Sequence, residues 1–235
     1  MDRVAWVIGG GSGIGRAAAI AVAAAGGRVV VSGRRTESLD VTVRLAGDQA
    51  SAIPLDATDG DALVAAHALV TSTIGPVTNL IVAAGLNAPQ RFWRDQSMEQ
   101  FQAIVDTNLT AVARAIDVVL PSMRDAGRGT IIVVSSYAGW LPTANSGVAY
   151  SASKTAVGSL CVQLNMQEGS NGIRATHLCP GDVDSDFLGM RPVVPDAAAR
   201  QRMLRPEDVA RPIQFVVDSP PHVRIDELVI TPTGT

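Results

Sequence analysis

Tyr150-Ser151-Ala152-Ser153-Lys154 is the segment of this chain whose residue types and spacing could do chemistry. The basic residues are 18 arginines and a single lysine, and that lysine stands four positions after one of only two tyrosines. On a helix, positions four apart share a face, so the phenol and the ammonium point into one cleft. A free phenol titrates near pH ~10, too high to trade protons efficiently at neutral pH, and a nearby cation stabilises the phenolate. The expectation is that Lys154 lowers the pKa of Tyr150 and makes it a general acid/base. Lys also brings a compact charge able to donate to ribose hydroxyls, where Arg would bring a broad planar fork. Upstream, the apolar run Ile131-Ile132-Val133-Val134 ends in Ser135 and Ser136, and one of these hydroxyls is suited to bonding a substrate carbonyl and its developing alkoxide.

A second segment suits a phosphate ligand. Val7-Ile8-Gly9-Gly10-Gly11-Ser12-Gly13-Ile14-Gly15-Arg16 sets five glycines between an apolar strand and an Ala-rich helix. Without Cβ atoms the backbone turns tightly and lets a pyrophosphate approach the helix N-terminus, which makes Gly9, Gly11, Ser12, Gly13, Ile14 and Gly15 expected dinucleotide contacts. At the end of the second strand the sequence reads Val31-Ser32-Gly33-Arg34-Arg35, with no acid before Glu37. An acid there would hold the two ribose hydroxyls of NAD; a hydroxyl and two guanidinium groups suit a 2′-phosphate instead. Ser32, Arg34 and Arg35 therefore favour NADP, with NAD the alternative.

The elements needed to position these groups follow from alternation. Short Val/Ile-rich runs at 3–8, 28–32, 50–54, 79–82, 130–134, 174–178 and 227–230 alternate with stretches of helical length, the pattern of repeated βαβ units. Helices are expected from the Gly13 to Gly15 turn to Gly26-Gly27, from the capping spacing Ser97-Met98-Glu99-Gln100, from near Ser146 past Lys154 to about Glu168, and from Pro206. No linker or repeat interrupts 1–235. The chain reads as a single Rossmann-type α/β domain with a seven-stranded, doubly wound parallel sheet and helices on both faces.

Composition narrows the function classes. In 235 residues, hydrophobic types make up 47% and charged types 17%, and the net charge is −3, which leaves no electrostatic footprint for nucleic acid or an anionic membrane. The longest apolar stretch, Ala17 to Ala25, is far short of the roughly 20 residues of a membrane span. Met1-Asp2-Arg3 shows no signal-peptide pattern, and Cys161 and Cys179 are isolated thiols, so a cytoplasmic location is expected. His67, His177 and His222 are scattered without ligand spacing, and no metal site is expected.

Together these residues resemble the short-chain dehydrogenase/reductase superfamily over nearly the whole chain. Gly9, Gly13 and Gly15 match its TGxxxGxG turn, Asp56 its adenine-contacting acid after the third strand, Ala83-Ala84-Gly85 most of its NNAG segment, and Asn108 its helix-breaking Asn. The resemblance implies that Asn108, Ser136, Tyr150 and Lys154 are catalytic and that Pro180, Gly181, Val183 and Ser185 line the nicotinamide side. It implies hydride transfer between nicotinamide C4 and a carbonyl carbon, with Tyr150 exchanging the proton and Asn108 holding a relay water beside Lys154. It also implies a homo-oligomer, tetramer or dimer. Ile8 and Val82 stand where the family keeps Thr and Asn, Ser185 stands for Thr, and Ser136 lies 14 before Tyr150 where 13 is common. The ending Asp226 to Gly234 looks like the branch of NADP-dependent 3-hydroxy acid dehydrogenases and related carbonyl reductases.

Tyr137, Trp140, Leu141, Phe187, Leu188 and Met190, with Phe92 and Trp93, are expected to form apolar walls for a small or medium neutral carbonyl or alcohol, under a short lid near 186–205. The alternatives are 3-oxoacyl-thioester reduction, which would call for Arg91, Arg94 and Arg191 to form a basic cleft mouth, and a non-catalytic NADP-binding sensor or scaffold on the same fold.

Overall fold

The computed structural model describes residues 3–233; Met1, Asp2, Gly234 and Thr235, and with them the end of the C-terminal resemblance, lie outside the described residues. Seven strands form one sheet: β1 (Val4–Ile8), β2 (Arg28–Gly33), β3 (Ala50–Pro54), β4 (Asn79–Val82), β5 (Gly129–Val134), β6 (Ile173–Pro180) and β7 (Glu227–Ile230). Their order is β3-β2-β1-β4-β5-β6-β7, and every pair is parallel. The helices are α1 (Gly13–Ala24), α2 (Thr36–Ala46), α3 (Gly60–Thr73), α4 (Met98–Val105), α5 (Ala111–Ala126), α6 (Tyr137–Trp140), α7 (Val148–Glu168), α8 (Ala197–Arg200) and α9 (Pro206–Asp218).

Alternate strand residues feed two cores. Val4, Trp6, Ile8, Leu80, Val82, Ile131 and Val133 pack with α3, α5 and α7 on one face. Ala5, Val7, Ile81, Ile132 and Val134 pack with α1, α2 and α9 on the other. This is why the central strands read as unbroken apolar runs. From β1 the chain runs to β2 and β3 on one side and resumes at β4 on the other, so a crevice opens beyond the carboxyl ends of β1 and β4.

The Thr and Asn that Ile8 and Val82 replace are not needed to tie the crevice loops. The Ala83 and Ala84 N–H groups both donate to the Ile8 carbonyl (2.8 and 3.1 Å), and those of Gly9 and Gly10 donate to the Ser32 carbonyl (2.8 and 3.1 Å). Gly15 fixes the angle of α1: a Cβ there would overlap the Gly9 carbonyl. Gly15→Ala is therefore expected to destabilise the fold by about 1–3 kcal/mol through overpacking, read as a lower urea midpoint at unchanged m-value.

Two helix starts fall where the sequence places them. Ser97 caps α4 by accepting from the Gln100 N–H (3.2 Å). The long helix α7 opens at Val148 because Gly147, at φ +96, takes a conformation that side chains disfavour.

Candidate active site

The crevice is a cleft of about 1560 Å³, larger than the roughly 300–1,000 Å³ of ordinary ligand pockets and roomy enough for a dinucleotide with a second molecule. Its walls bring together Gly9, Gly11, Ser12, Gly13, Ile14, Arg34, Arg35, Asp56, Ala83, Ala84, Gly85, Ser136, Tyr150, Lys154, Pro180, Gly181, Val183 and Ser185. In the turn after β1, Gly9 (φ +86) and Gly13 (φ +50) take backbone conformations that favour glycine, and a Cβ on Gly9 would lie 2.8 Å from the Ala84 Cα. Ser12 at the N-cap of α1 makes no side-chain cap, and the first turn carries no acid, so the helix N–H groups face the cleft unopposed. This cradle fits a pyrophosphate.

Arg34 and Arg35 are exposed at the end of β2 on the cleft rim, and neither forms an ion pair among the described residues. Asp56 accepts from the Thr58 N–H (2.9 Å) and hydroxyl (2.8 Å); these bonds, with the Arg34 charge, hold its carboxyl below the usual range. It stays ionised and able to accept from an adenine amine.

Two expected contacts lie elsewhere, whereas Asn108 stands near Lys154: its Oδ1 and the Lys154 Nζ both come within 3.7 Å of the point a Gly85 Cβ would occupy. Ser32 is fully buried, and its hydroxyl accepts from the Trp6 indole N–H (2.9 Å), because alternation along β2 turns it into the sheet interior; it cannot reach a 2′-phosphate. Gly15 supports the turn from behind, against Gly9. Asn108, in a π-helical turn (Asp106–Thr110) between α4 and α5, is buried with its amide committed: it accepts from the Leu86 N–H (2.7 Å) and donates to the Leu86 carbonyl (2.9 Å) and the Ser153 hydroxyl (3.2 Å). Its side chain braces the loop after β4 against α7.

In the same cleft α7 carries Tyr150 and Lys154 on one face, with the Lys154 Nζ 5.9 Å from the centre of the tyrosine ring. The two serines separate cleanly. Ser135 is buried and donates to the Lys154 carbonyl (2.9 Å), whereas the Ser136 hydroxyl caps α6 at Ala138 (3.2 Å) and bonds Tyr150.

The expected electrostatics are reversed. Burial keeps the Tyr150 phenol above its ordinary pKa, opposed by the Ser136 hydrogen bond and the charges of Arg91 and Arg191. Lys154 does not lower it, because burial of the ammonium itself brings Lys154 down to about 8 while Nζ donates to the Val134 carbonyl (2.9 Å). As the sole lysine, Lys154 gives a single side-chain signal in a ¹³C-lysine NMR titration, and its midpoint is expected near 8 rather than at the ordinary ~10.4. The folded pKa lies below the unfolded one, so the unfolded chain binds more protons across that window. Folding stability contributed by this group therefore rises as pH goes from about 8 towards 10.5.

Of the expected apolar walls, Tyr137, Phe187, Leu188, Met190 and Phe92 line the cleft, and Phe187 sits 5.8 Å from the Tyr150 ring. Trp93, Trp140 and Leu141 do not; they are 83%, 47% and 51% exposed, and Trp140 packs edge-on against Tyr137. Of the three arginines expected at a basic mouth, Arg91 and Arg191 line the cleft and Arg94 does not. Arg91 is buried, Arg94 lies over the Phe92 ring and Arg191 pairs with Asp182.

Away from the cleft, His177 is not isolated. Parallel pairing of β6 with β7 sets Glu227 beside it (Nδ1 to Oε2, 2.9 Å), and Cys179 lies two residues on, on the same strand face (Sγ to Nδ1, 3.4 Å). The three potential ligand atoms lie within 4.8 Å of one another, a juxtaposition that sequence spacing could not show. Burial pushes the Cys179 thiol up to about 12 and keeps it protonated, which suits a hydrogen-bonded cluster.

The short chain dehydrogenase family profile matches residues 3–192. The chain belongs to that family. It is an oxidoreductase of the short-chain type, with the family's seven-stranded parallel α/β fold. A sulfoacetaldehyde reductase of Chromohalobacter salexigens is 33% identical over 99% of this chain and 95% of its own length. An uncharacterized oxidoreductase of Staphylococcus aureus is 27% identical over 98% and 97%. Among solved structures, the closed form of a serine dehydrogenase complexed with NADP+ superposes with a TM-score of 0.90 at 26% identity, covering 99% of this chain and 96% of that one. Actinorhodin polyketide ketoreductase with NADPH superposes at 0.89 and 26%, covering 97% and 95%. Among the described residues no helix is long and apolar enough to cross a membrane.

Proposed function

We propose that this short-chain dehydrogenase reduces a small or medium carbonyl compound to the alcohol with NADPH. The observation that carries the reading is the convergence of Ser136, Tyr150 and Lys154 in the same cleft as the glycine cradle. Two of the structural neighbours are complexes with NADP+ or NADPH, in line with the paired guanidinium groups of Arg34 and Arg35 and the absence of an acid at the end of β2.

When bound, the reduced nicotinamide supplies a hydride to the carbonyl carbon. Gly9, Gly11, Ser12, Gly13 and Ile14 hold the pyrophosphate, Arg34 and Arg35 the 2′-phosphate, Asp56 the adenine, Ala83, Ala84 and Gly85 the ribose, and Pro180, Gly181, Val183 and Ser185 flank the ring. The Ser136 hydroxyl bonds the carbonyl oxygen and stabilises charge as it develops there. Tyr150, kept protonated by burial, delivers its proton to that oxygen. Lys154 bonds the ribose hydroxyls with the donors not given to Val134, and returns a proton toward Tyr150 through them. Asn108 positions the loop after β4 rather than touching substrate. Phe187 and the segment 186–205 cover the reacting centre.

The test is NADPH and NADH oxidation, followed by absorbance, with a panel of aldehydes, ketones, 3-oxo acids and 3-oxoacyl thioesters. Turnover with NADPH on free carbonyl compounds is expected. Activity confined to thioesters, or to NADH, would overturn the reading.

A further inference from the structure

Arg91 is an unusual residue to bury. It lies in the loop between β4 and α4, is 5% exposed, and lines the cleft at the Tyr150 end. Its guanidinium meets only backbone carbonyls: Nε donates to Ala88 (2.8 Å), Nη2 to Met190, and Nη1 to Asn145 at the limit of hydrogen-bond distance (3.5 Å). Among the described residues no carboxylate lies within ion-pair distance of it. A buried cation without a counter-charge is costly, and well-packed apolar side chains commonly stabilise such a position more.

The fold nevertheless builds a seat for it. The Val148 N–H at the start of α7 donates to the Arg91 carbonyl (2.9 Å), and Gly147 presses on its aliphatic stem, where an added Cβ would come within 2.7 Å of the Arg91 Cβ. The helix that carries Tyr150 and the loop that carries Arg91 are thus fixed to each other. The Met190 carbonyl ties in the start of the segment that covers the cleft.

The charges around the phenol point the same way. Arg91 and Arg191 both lower the Tyr150 pKa, and the opposing effect of Asp182, which pairs with Arg191, is smaller than either. Desolvation and repulsion between the two arginines both disfavour the charge on Arg91. A small organic anion with its oxygens against the remaining guanidinium N–H groups would relieve both.

We infer that Arg91 is an anion-binding residue and that the substrate is a short carbonyl compound bearing an oxyanion substituent, a carboxylate or a sulfonate, rather than a neutral one. The inference rests on the reductase reading. Arg91 takes the anionic group, the bound end fixes the distance of the carbonyl from Tyr150, and Arg191 with Asp182 closes the outer side.

The experiment compares 3-oxobutanoate and 4-oxobutanoate with their methyl esters, using NADPH and the whole chain. Wild-type kcat/KM is expected to favour each acid over its ester by roughly tenfold or more, the worth of a charge-assisted hydrogen bond. In Arg91→Met that acid-to-ester ratio should collapse toward one, chiefly through the KM of the acids; thermal melting reports whether the variant is folded. Arg191→Gln should lower the ratio less. Competition by succinate but not by dimethyl succinate in the wild-type protein tests the same point without any variant. Esters reduced as well as acids by the wild type would overturn the anion assignment and leave the reductase intact. No NADPH consumption with any carbonyl compound would overturn the reductase reading and this inference with it.

Discussion

Tyr150→Phe is expected to lower kcat for carbonyl reduction by a factor on the order of 10²–10⁴, the range that a positioned general acid contributes. The substitution removes one oxygen and keeps the ring, so the packing against Phe187 at 5.8 Å and the position of α7 are retained. NADPH affinity should change little, because the substitution leaves the glycine cradle and the arginines after β2 untouched. A fluorescence titration of NADPH beside steady-state kinetics separates the two effects. The pH dependence has a definite sign. With the phenol held above its ordinary value, wild-type reduction should fall only on the alkaline side, as the proton to be delivered is lost. In the Phe variant the part of that fall due to the phenol should be gone, leaving the part due to Lys154, which loses its proton near 8. Comparable turnover in both proteins would remove Tyr150 from the chemistry.

Arg34→Ala is expected to weaken NADPH far more than NADH. A hydrogen bond to a charged group is worth about 1.5–3 kcal/mol, which corresponds to roughly a ten- to hundredfold loss for the phosphate-bearing cofactor. Exposure of Arg34 and the neighbouring Arg35 place the effect toward the lower part of that range. NADH has no group for this guanidinium to fork onto, so its KM should move by about twofold at most. The loss for NADPH should shrink at high ionic strength. Equal losses for both cofactors would mean that Arg34 shapes the loop instead of reading the phosphate.

The glycine turn and the α7 pair were legible because each requirement is local. Positive φ at Gly9 and Gly13 selects glycine whatever the rest of the chain does, and a spacing of four on a helix needs no knowledge of neighbours. The strand pattern was legible because a sheet covered on both faces writes apolar runs. That same feature hid Ser32: when both faces of β2 are buried, alternation does not say which side faces the crevice.

Properties that depend on distant segments were not legible. The pKa of Tyr150 follows from how deeply the cleft buries it, and Lys154 loses the expected role because it is desolvated beside Val134. Arg91 changes from a surface charge to a buried one only through Gly147, Asn145 and Met190, which lie more than fifty residues away in sequence. The cluster of His177, Cys179 and Glu227 appears only once the register of β6 with β7 is known.

Hydride transfer from a nicotinamide held in the cleft, with Tyr150 supplying the proton, gives the two new hydrogens of the product separate sources. Its most direct test is isotopic: 4-deuterated NADPH with 3-oxobutanoate in ordinary water, and undeuterated NADPH in D₂O, with the product examined by NMR. Direct transfer predicts deuterium on the carbinol carbon in the first case, none on that carbon in the second, and loss of turnover in Tyr150→Phe. Carbinol deuterium drawn from solvent, or unchanged transfer without the phenol, would contradict the account.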